Sequence, residues 1–408
     1  MANTLTPTDV YAIVNAMANE MFGTSNSLVA VNTTTFATVG EAMLRTGYEN
    51  TVNALSAVIG RTIIAARPYR GKFRIIMRVP QEFGLITRKI SFYSTKLEPS
   101  TDFNTNINGT QIVDGASIDP WKITKTYPLE INFVGLKVTQ KNYTIFRYQL
   151  KQAFASEGAF GSFVSGLLIQ IANDLEVDMD AENRLQVLNA IGATYNTGGT
   201  RQAVNLTAEF NAFYSTSYTT AQLLSTHYED FIKYFVMRLK GDMELMSEYN
   251  SLFHLTPAKS DDAGNTLILN RHTPPDARRL LLFMPMIRQA EATIFPSLFN
   301  DSYLKLENYE GVEYWQNPNV PAGVDITPNQ LDITTGQSSN GNQVQLDHVV
   351  ALLFDRDALA TSVHVEDVIT SPINNRGTYY NVTYHYGKDY QLDQTENMIL
   401  YYMEDVTP

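Results

Sequence analysis

Residues 163–191 read FVSGLLIQIANDLEVDMDAENRLQVLNAI. Phe163, Val164, Leu167, Leu168, Ile171, Leu175 and Met179 recur there at three- and four-residue spacing, the period of one helix face. Leu185 and Leu188 continue the stripe, so the spacing predicts a helix of several turns. Upstream the helical pattern reaches back to about residue 143, with a break expected near Gly158 and Gly161. Those two glycines and Gly166 lack the Gly-Lys-Ser/Thr ending and the preceding strand of a phosphate-cradling loop, and they read as packing positions.

The same stretch carries the densest acidic run of the chain: Asp174, Glu176, Asp178, Asp180 and Glu182. Its alternate spacing imitates a calcium loop. Counted from Asp174, however, Met179 and Leu185 stand where such a loop needs Gly and Glu. On a helix Asp174, Asp178 and Glu182 form one stripe, which is either a solvated face or a strip for positive charge. A basic counterpart exists in residues 61–96, where nine bases (among them Arg74, Arg78, Arg88 and Lys89) face one acid, Glu82. The bland reading is charge that keeps an exposed strand edge from aggregating. The sharper one is contact with an acidic surface of nucleic acid or of another copy of the chain.

That basic segment contains a hairpin pattern over 72–93. Phe73, Ile75, Met77 and Val79 alternate with other residues, Pro80–Gly84 turn the chain, and Ile86, Ile90 and Phe92 return. A polar, turn-rich stretch follows to Thr126, longer than compact domains usually tolerate. The expectation is an extended loop, poorly packed on its own chain. Before it, the first 60 residues read as an arm. Thr6-Pro7 starts one helix, a second is expected around Met43–Val58, and a Thr/Asn-rich tether joins them.

After it, Leu129–Val138 reads as a strand. Thr219 with Gln222 resembles a capping box before the helix carrying Phe231, Ile232 and Phe235. A buried strand is expected over 279–285 and a helix over 287–299. A surface loop spans 316–345, and strand-like runs occupy 346–354, 361–370, 378–386 and 397–405. Strands and helices are segregated, which is an α+β pattern.

Composition bounds the rest. At 408 residues the chain exceeds one ordinary core, so two or three subdomains are expected. A net charge of −12 argues against a dedicated nucleic-acid binder, which needs bases to displace phosphate counterions. Cysteine is absent, which excludes disulfides and thiolate chemistry. His227, His254, His272, His348, His364 and His385 are scattered singly, with no helical pair to nominate a zinc site. No leader-like N-terminal segment and no membrane-spanning run are visible. The expectation is a chain with no cofactor, no bound metal, no catalytic residues and no membrane partner.

An arm, an extended charged loop and a long helix, in that order, resemble the major capsid proteins of tailed phages, with the Hong Kong ninety-seven-like fold. Phe154-Ala-Ser156, Phe160-Gly-Ser-Phe-Val-Ser165 and Glu176-Val-Asp178 look like one stretch of the head proteins of small short-tailed phages. Ser371-Pro372, Asn375-Arg-Gly-Thr-Tyr-Tyr-Asn381 and Asn397-Met-Ile-Leu-Tyr401 resemble their C-terminal strands. The resemblance implies an N-terminal arm at 1–61, an extended hairpin loop at 62–128 and a peripheral domain with a long spine helix at 129–218. An axial domain at 219–345 and returning peripheral strands at 346–408 complete it.

It further implies self-assembly into hexamers and pentamers of an icosahedral shell, a separate scaffolding protein, a portal, and nonspecific contact with the enclosed double-stranded DNA. The product would reside in the virion after assembly in the host cytoplasm. On this reading Arg74, Arg78, Arg88 and Lys89 of one copy dock against Asp174, Asp178 and Glu182 of a neighbour. Two rival readings are another phage structural protein (a tail or adhesive surface protein) and a carboxylate-dependent hydrolase. The first lacks the expected β repeats, and the second lacks a converging set of acids.

Overall fold

The computed structural model describes residues 6–24, 27–63, 71–78, 87–94, 101–102, 110–111, 121, 123, 125–133, 137–262, 264–293 and 309–405. In chain order the principal elements begin with helices α1 (Pro7–Phe22), α2 (Thr33–Thr46) and α3 (Tyr48–Ile63). Strands β1 (Thr87–Phe92), β2 (Pro128–Phe133) and β3 (Lys137–Phe146) follow, then helices α4 (Arg147–Ala153) and α5 (Glu157–Thr197). Next come β4 (Ala203–Asn205), α6 (Leu206–Tyr214), α7 (Tyr228–Met246), β5 (Arg278–Phe283), α8 (Met284–Thr293) and β6 (Tyr309–Val312). Strands β7 (His348–Asp355), β8 (Leu359–Thr370), β9 (Tyr379–Leu392) and β10 (Met398–Met403) close the chain.

The chain divides into two compact units. One comprises Met1–Leu85, Gly135–Gln186 and Ala360–Gln391; the other comprises Ile86–Val134, Val187–Leu359 and Leu392–Pro408.

In the first unit, the α5 stripe Phe160, Val164, Leu168, Ile171, Leu175 and Met179 is buried in one cluster. Val14 and Met17 of α1, Phe36 and Met43 of α2 and Leu55 of α3 share that cluster, as do Val382, Tyr384 and Tyr386 of β9. The expected arm therefore contributes to a core. Its second helical pattern is two helices, because the chain turns at Gly47 with φ 144, a conformation suited to glycine. Thr6 caps α1 in a reciprocal box with Asp9, and Pro7 occupies the first turn. Gly161 has the packing role expected of it: a Cβ there would lie 2.9 Å from Val10 Cγ2, so its absence lets α1 approach α5. Nothing lies within 4 Å of a Cβ built at Gly158 or Gly166, so neither shows a comparable contact.

Three local expectations need correction in this unit. Residues 143–146 are strand, not helix; they belong to β3, which pairs with β9 over ten consecutive positions. The helical break falls at 154–156 rather than at Gly158 and Gly161, since Ser156 caps the new helix through its Oγ to Ala159 N–H at 3.1 Å. Leu185 does not continue the apolar stripe but is 59% exposed, whereas Leu188 is buried.

The hairpin expected over 72–93 also forms differently. Arg74–Ile76 is a turn of 3₁₀ helix with Phe73 and Ile76 buried beside it, and residues 79–86 lie outside the described residues. The segment is held by α5 and by a single bridge to β8: Gly71 N–H donates to Glu176 at 2.9 Å, Lys72 N–H to Asp180 at 2.8 Å, and Arg78 N–H to Thr361 O at 2.8 Å. Amides satisfied in this way do not need a ladder.

The second unit is built on a five-stranded sheet of order β4-β10-β7-β5-β6. Strand β7 is central and antiparallel to both neighbours, and β4 and β6 join the edges in parallel. Its run Val349–Phe354 is buried throughout, as an inner strand covered on both faces requires. Helix α7 packs Phe231, Ile232, Phe235 and Leu239 into the same core as Leu280, Leu353, Ile399 and Tyr401. The capping box Thr219/Gln222 exists, but it starts only a single turn, Thr220–Leu223, ahead of α7. The expected loop at 316–345 contains four short strands within 324–346. The closing strands divide between the units, β9 pairing with β3 in the first and β7 with β10 in the second.

Candidate inter-subunit contact surface

Strands β1 and β2 form a two-stranded antiparallel ribbon with Arg88 opposite Asn132, Ile90 opposite Glu130 and Phe92 opposite Pro128. Directly opposed residues share a face, so one face carries Arg88, Ile90, Phe92, Pro128, Glu130 and Asn132. All six are exposed, Ile90 at 52% and Phe92 at 58%. The other face carries Lys89 and Ser91 with Leu129, Ile131 and Phe133, and is buried or half-buried. Of the apolar loop residues singled out in the sequence, Ile90 and Phe92 are presented outward, while Ile75 and Met77 are half-buried in the first unit. Arg88 pairs with Glu130 at 2.7 Å, both exposed, so water and salt screen the contact. Hydrogen bonds from Asn132 and then Arg88 hold the Glu130 carboxyl below its ordinary value.

The inner face meets a feature that sequence reading passed over. Between β9 and β10 runs Asp393-Gln-Thr-Glu-Asn397, five polar residues whose exposures lie between 0 and 8%. Each is satisfied. Asp393 Oδ1 accepts Thr395 N–H at 2.9 Å and Thr395 Oγ1 at 2.6 Å. Gln394 donates to Thr197 Oγ1 and accepts Leu331 N–H. Asn397 lies between His254 Nδ1 at 3.0 Å and Thr273 Oγ1 at 3.1 Å.

Two bases complete this hub. Lys89 Nζ reaches Asp393 Oδ2 at 2.5 Å and also Glu396. Arg271 reaches Glu396 at 3.3 Å, Thr395 O at 3.0 Å and Ser91 Oγ of the ribbon at 2.8 Å. Burial raises the Glu396 carboxyl above its ordinary value, opposed by Lys89 and Arg271. Burial lowers the His254 imidazole, opposed by hydrogen bonds to Leu269 O and Asn397. Nothing local in the sequence announces that Lys89 and Arg271 will enclose these residues.

The acidic stripe of α5 is paired within its own chain. Asp174 meets Lys141 at 3.0 Å and the Tyr143 hydroxyl at 3.1 Å. Glu176, 2% exposed, meets Arg74 at 3.3 Å. Asp178 meets Lys388, whose side chain is fully buried; Asp180 meets Arg184 at 3.5 Å; Glu182 meets Lys137 at 3.0 Å and Lys388 at 3.3 Å. Thus Lys137, Lys141 and Lys388 pin β3 and β9 to α5. Of the four bases singled out from sequence, Arg74 pairs with Glu176, Arg88 with Glu130, and Lys89 with Asp393 and Glu396. Arg78 lies against Gln391 at 3.4 Å. Arg88 and Asp178 keep exposed side chains, at 58% and 54%.

Among the described residues no helix is long and apolar enough to cross a membrane, and no group of three metal-ligating side chains converges.

The model of the Phi29-like phage major capsid protein family matches residues 14–402 of the chain. Among solved structures, the chain is similar to one in the capsid structure of Staphylococcus phage Andhra, with 10% identity and a TM-score of 0.49, over 82% of this chain and 85% of that one. It is similar to a chain in the structure of the head fiber and inner core protein gp22 of native bacteriophage P68, with 10% identity and a TM-score of 0.45, over 82% and 85%. A chain in the capsid structure of the Cyanophage P-SCSP1u has 13% identity and a TM-score of 0.39, over 84% and 91%. No curated protein matches the chain.

Proposed function

Because the chain belongs to the Phi29-like phage major capsid protein family, we propose that its copies close into an icosahedral or prolate shell around double-stranded DNA, meeting through the outer face of the β1–β2 ribbon. As a major capsid protein it is a structural component of the virion that associates with itself. The single observation that carries the ribbon assignment is the face holding Ile90 and Phe92, apolar and more than half exposed on an otherwise anchored element. Exposed apolar surface of this kind marks an interface.

The proposed arrangement keeps the hexamers and pentamers, the arm, the extended loop at 62–128 and the peripheral and axial domains of the family resemblance. Of the charged candidates, Arg88 faces Asp174 and Asp178 of the neighbouring copy, because these retain exposed side chains. Arg74, Arg78, Lys89 and Glu182 chiefly hold their own chain. Assembly in the host cytoplasm draws on a separate scaffolding protein and a portal. A net charge of −12 suits a lining along which DNA slides with only nonspecific contacts.

Electron microscopy of the recombinant protein, alone and co-expressed with the scaffolding protein of the same phage, tests this. Closed shells are expected from the wild-type chain, and none from Phe92→Asp, whose melting curve stays unchanged. Shells forming normally with Phe92→Asp would overturn the ribbon assignment. A wild-type chain that never forms shells under either condition would overturn the whole reading.

A further inference from the structure

We infer that Lys89 is a positioning residue for assembly: anchored in the buried Asp393–Asn397 hub, it fixes the direction in which the ribbon leaves its unit, rather than serving as a docking charge. The inference rests on the reading of the ribbon as the contact element, and it assigns Lys89 a role opposite to the one its basic neighbourhood suggests.

Strand alternation divides the ribbon's two adjacent bases. Arg88 lies on the outer face, with 58% of its side chain exposed; Lys89 lies on the inner face at 22% and meets carboxylates that are 1% and 10% exposed. An ammonium already shared between two buried acids has little left to offer a neighbour, and extracting it would leave both carboxylates uncompensated in a desolvated site. The partners are themselves rigid. Asp393 N–H donates to Ala358 O at 2.7 Å, Asp355 N–H donates to Asn397 O at 2.9 Å, and Leu255 N–H donates to Gln394 O at 2.8 Å. The hub therefore ties the end of β7, the 355–358 turn and the 254–273 segment together and presents a fixed pair of oxygens to the ribbon.

The chain just after β1 is held separately: Tyr93 packs against Leu267 and Leu269 and donates its hydroxyl to Pro257 O at 2.9 Å, and Ser94 N–H donates to Ile268 O at 2.9 Å. Arg271 reaches Ser91 at 2.8 Å, and Tyr93 N–H donates to Tyr127 O at 3.0 Å. Beyond Phe92 the unit opens into a cavity of about 460 Å³ lined by Phe92, Tyr249, Arg271, Arg356 and Glu396. A two-stranded ribbon is marginal alone in water, and Lys89, midway along β1, is a charged contact that fastens its inner face to the hub. In a shell of hexamers and pentamers each copy's ribbon must reach a neighbour within a narrow range of angles, so an unfastened ribbon would give shells of mixed curvature.

Hydrogen exchange on the unassembled subunit, paired with particle sizing by electron microscopy, tests the inference using Lys89→Met, Lys89→Arg and Phe92→Asp. In Lys89→Met the amides of 87–92 and 128–133 should exchange at least about tenfold faster while the five-stranded sheet keeps its protection, and shells should become heterogeneous or fail to close. Lys89→Arg should restore both. Should Lys89→Met fail to fold, Lys89→Met combined with Glu396→Gln, which removes one charge of each sign, carries the same expectation. Unchanged exchange with normal shells would overturn the inference. So would faster exchange with normal shells, which would make the hub merely structural. Unchanged exchange with lost assembly would identify Lys89 as an interface charge and also overturn it, leaving the ribbon reading intact. Normal assembly of Phe92→Asp would be the separate failure of that reading.

Discussion

Lys89 and Arg88 are adjacent in sequence, yet their side chains serve different surfaces: Lys89 Nζ lies 2.5 Å from the buried Asp393 carboxylate, and Arg88 pairs at 2.7 Å with the exposed Glu130. The period-two geometry of a strand is sufficient cause, since successive side chains point to opposite faces. One base is thereby enclosed inside the subunit and the other stays exposed on its surface.

Arg88→Glu is expected to slow shell formation, and Asp178→Lys in the same chain to restore part of it. Each exposed contact is worth only about 0–1 kcal/mol, but a shell repeats it at every interface. Light scattering during assembly measures the rate. Added salt should weaken the wild-type contact, because the screening length is about 8–10 Å near physiological ionic strength. Wild-type rates in Arg88→Glu at low salt would sink this contact.

The lysines that join β3 and β9 to α5 should differ in weight. Lys388→Met leaves Glu182, only 14% exposed, without its buried partner, although Asp178 at 54% can turn to water. We expect a loss of roughly 2 kcal/mol, below the ~3–5 kcal/mol of breaking a fully buried pair. Lys141→Met removes an exposed pair and should cost less than about 1 kcal/mol. Urea melts of the unassembled subunit give both values, and equal costs would contradict the burial argument.

Stability should depend on pH through His254. Its folded imidazole is held below the ordinary 6.5 by burial, so the unfolded chain binds the extra proton first. The contribution is then fully present above 6.5 and is lost as pH falls below it. Glu396, held above its ordinary 4.5, acts with the opposite sign: its term favours the fold below 4.5 and is lost as pH rises through the folded value. The test is therefore a difference: urea melts of wild type and His254→Gln at about pH 7.5 and about pH 5.5. The wild type should lose more stability between the two. Parallel losses would assign the slope to other groups.

Gly192→Ala sets helix propensity against space. Alanine favours the helix by about 1 kcal/mol. The new Cβ, however, would lie 2.8 Å from Ile326 Cγ2 and 3.1 Å from the Pro328 ring, which has little freedom to retreat. Overpacking of this kind costs about 1–3 kcal/mol. A net loss near 1 kcal/mol is expected by thermal melting, and a stabilised variant would show that the 326–328 segment yields easily.

The long helix was legible from sequence alone. Its stripe from Val164 to Met179 has one period, and burial of that stripe is the only way so many apolar side chains leave water together. Central strand β7 was legible for a similar reason, as Val349–Phe354 is an unbroken apolar run of strand length. The outward face of Ile90 and Phe92 was within reach too, because alternation in β1 places them with Arg88.

What sequence could not decide was partnership. The α5 acids read as an unpaired strip; only the tertiary structure brings Lys137, Lys141 and Lys388 onto them, from strands that lie up to 210 positions away in the chain. The segment at 71–76 carried an alternating pattern, yet two α5 carboxylates capture its amides and make it a turn. The polar residues at 393–397 carry no local signal of burial. They are buried because Lys89 and Arg271 arrive from distant positions to satisfy them, and the cost of burying a charge depends on which counter-charge the fold delivers. Periodicity is a property of neighbours along the chain, so sequence carries it. Charge compensation is a property of neighbours in space, and only the folded chain specifies those.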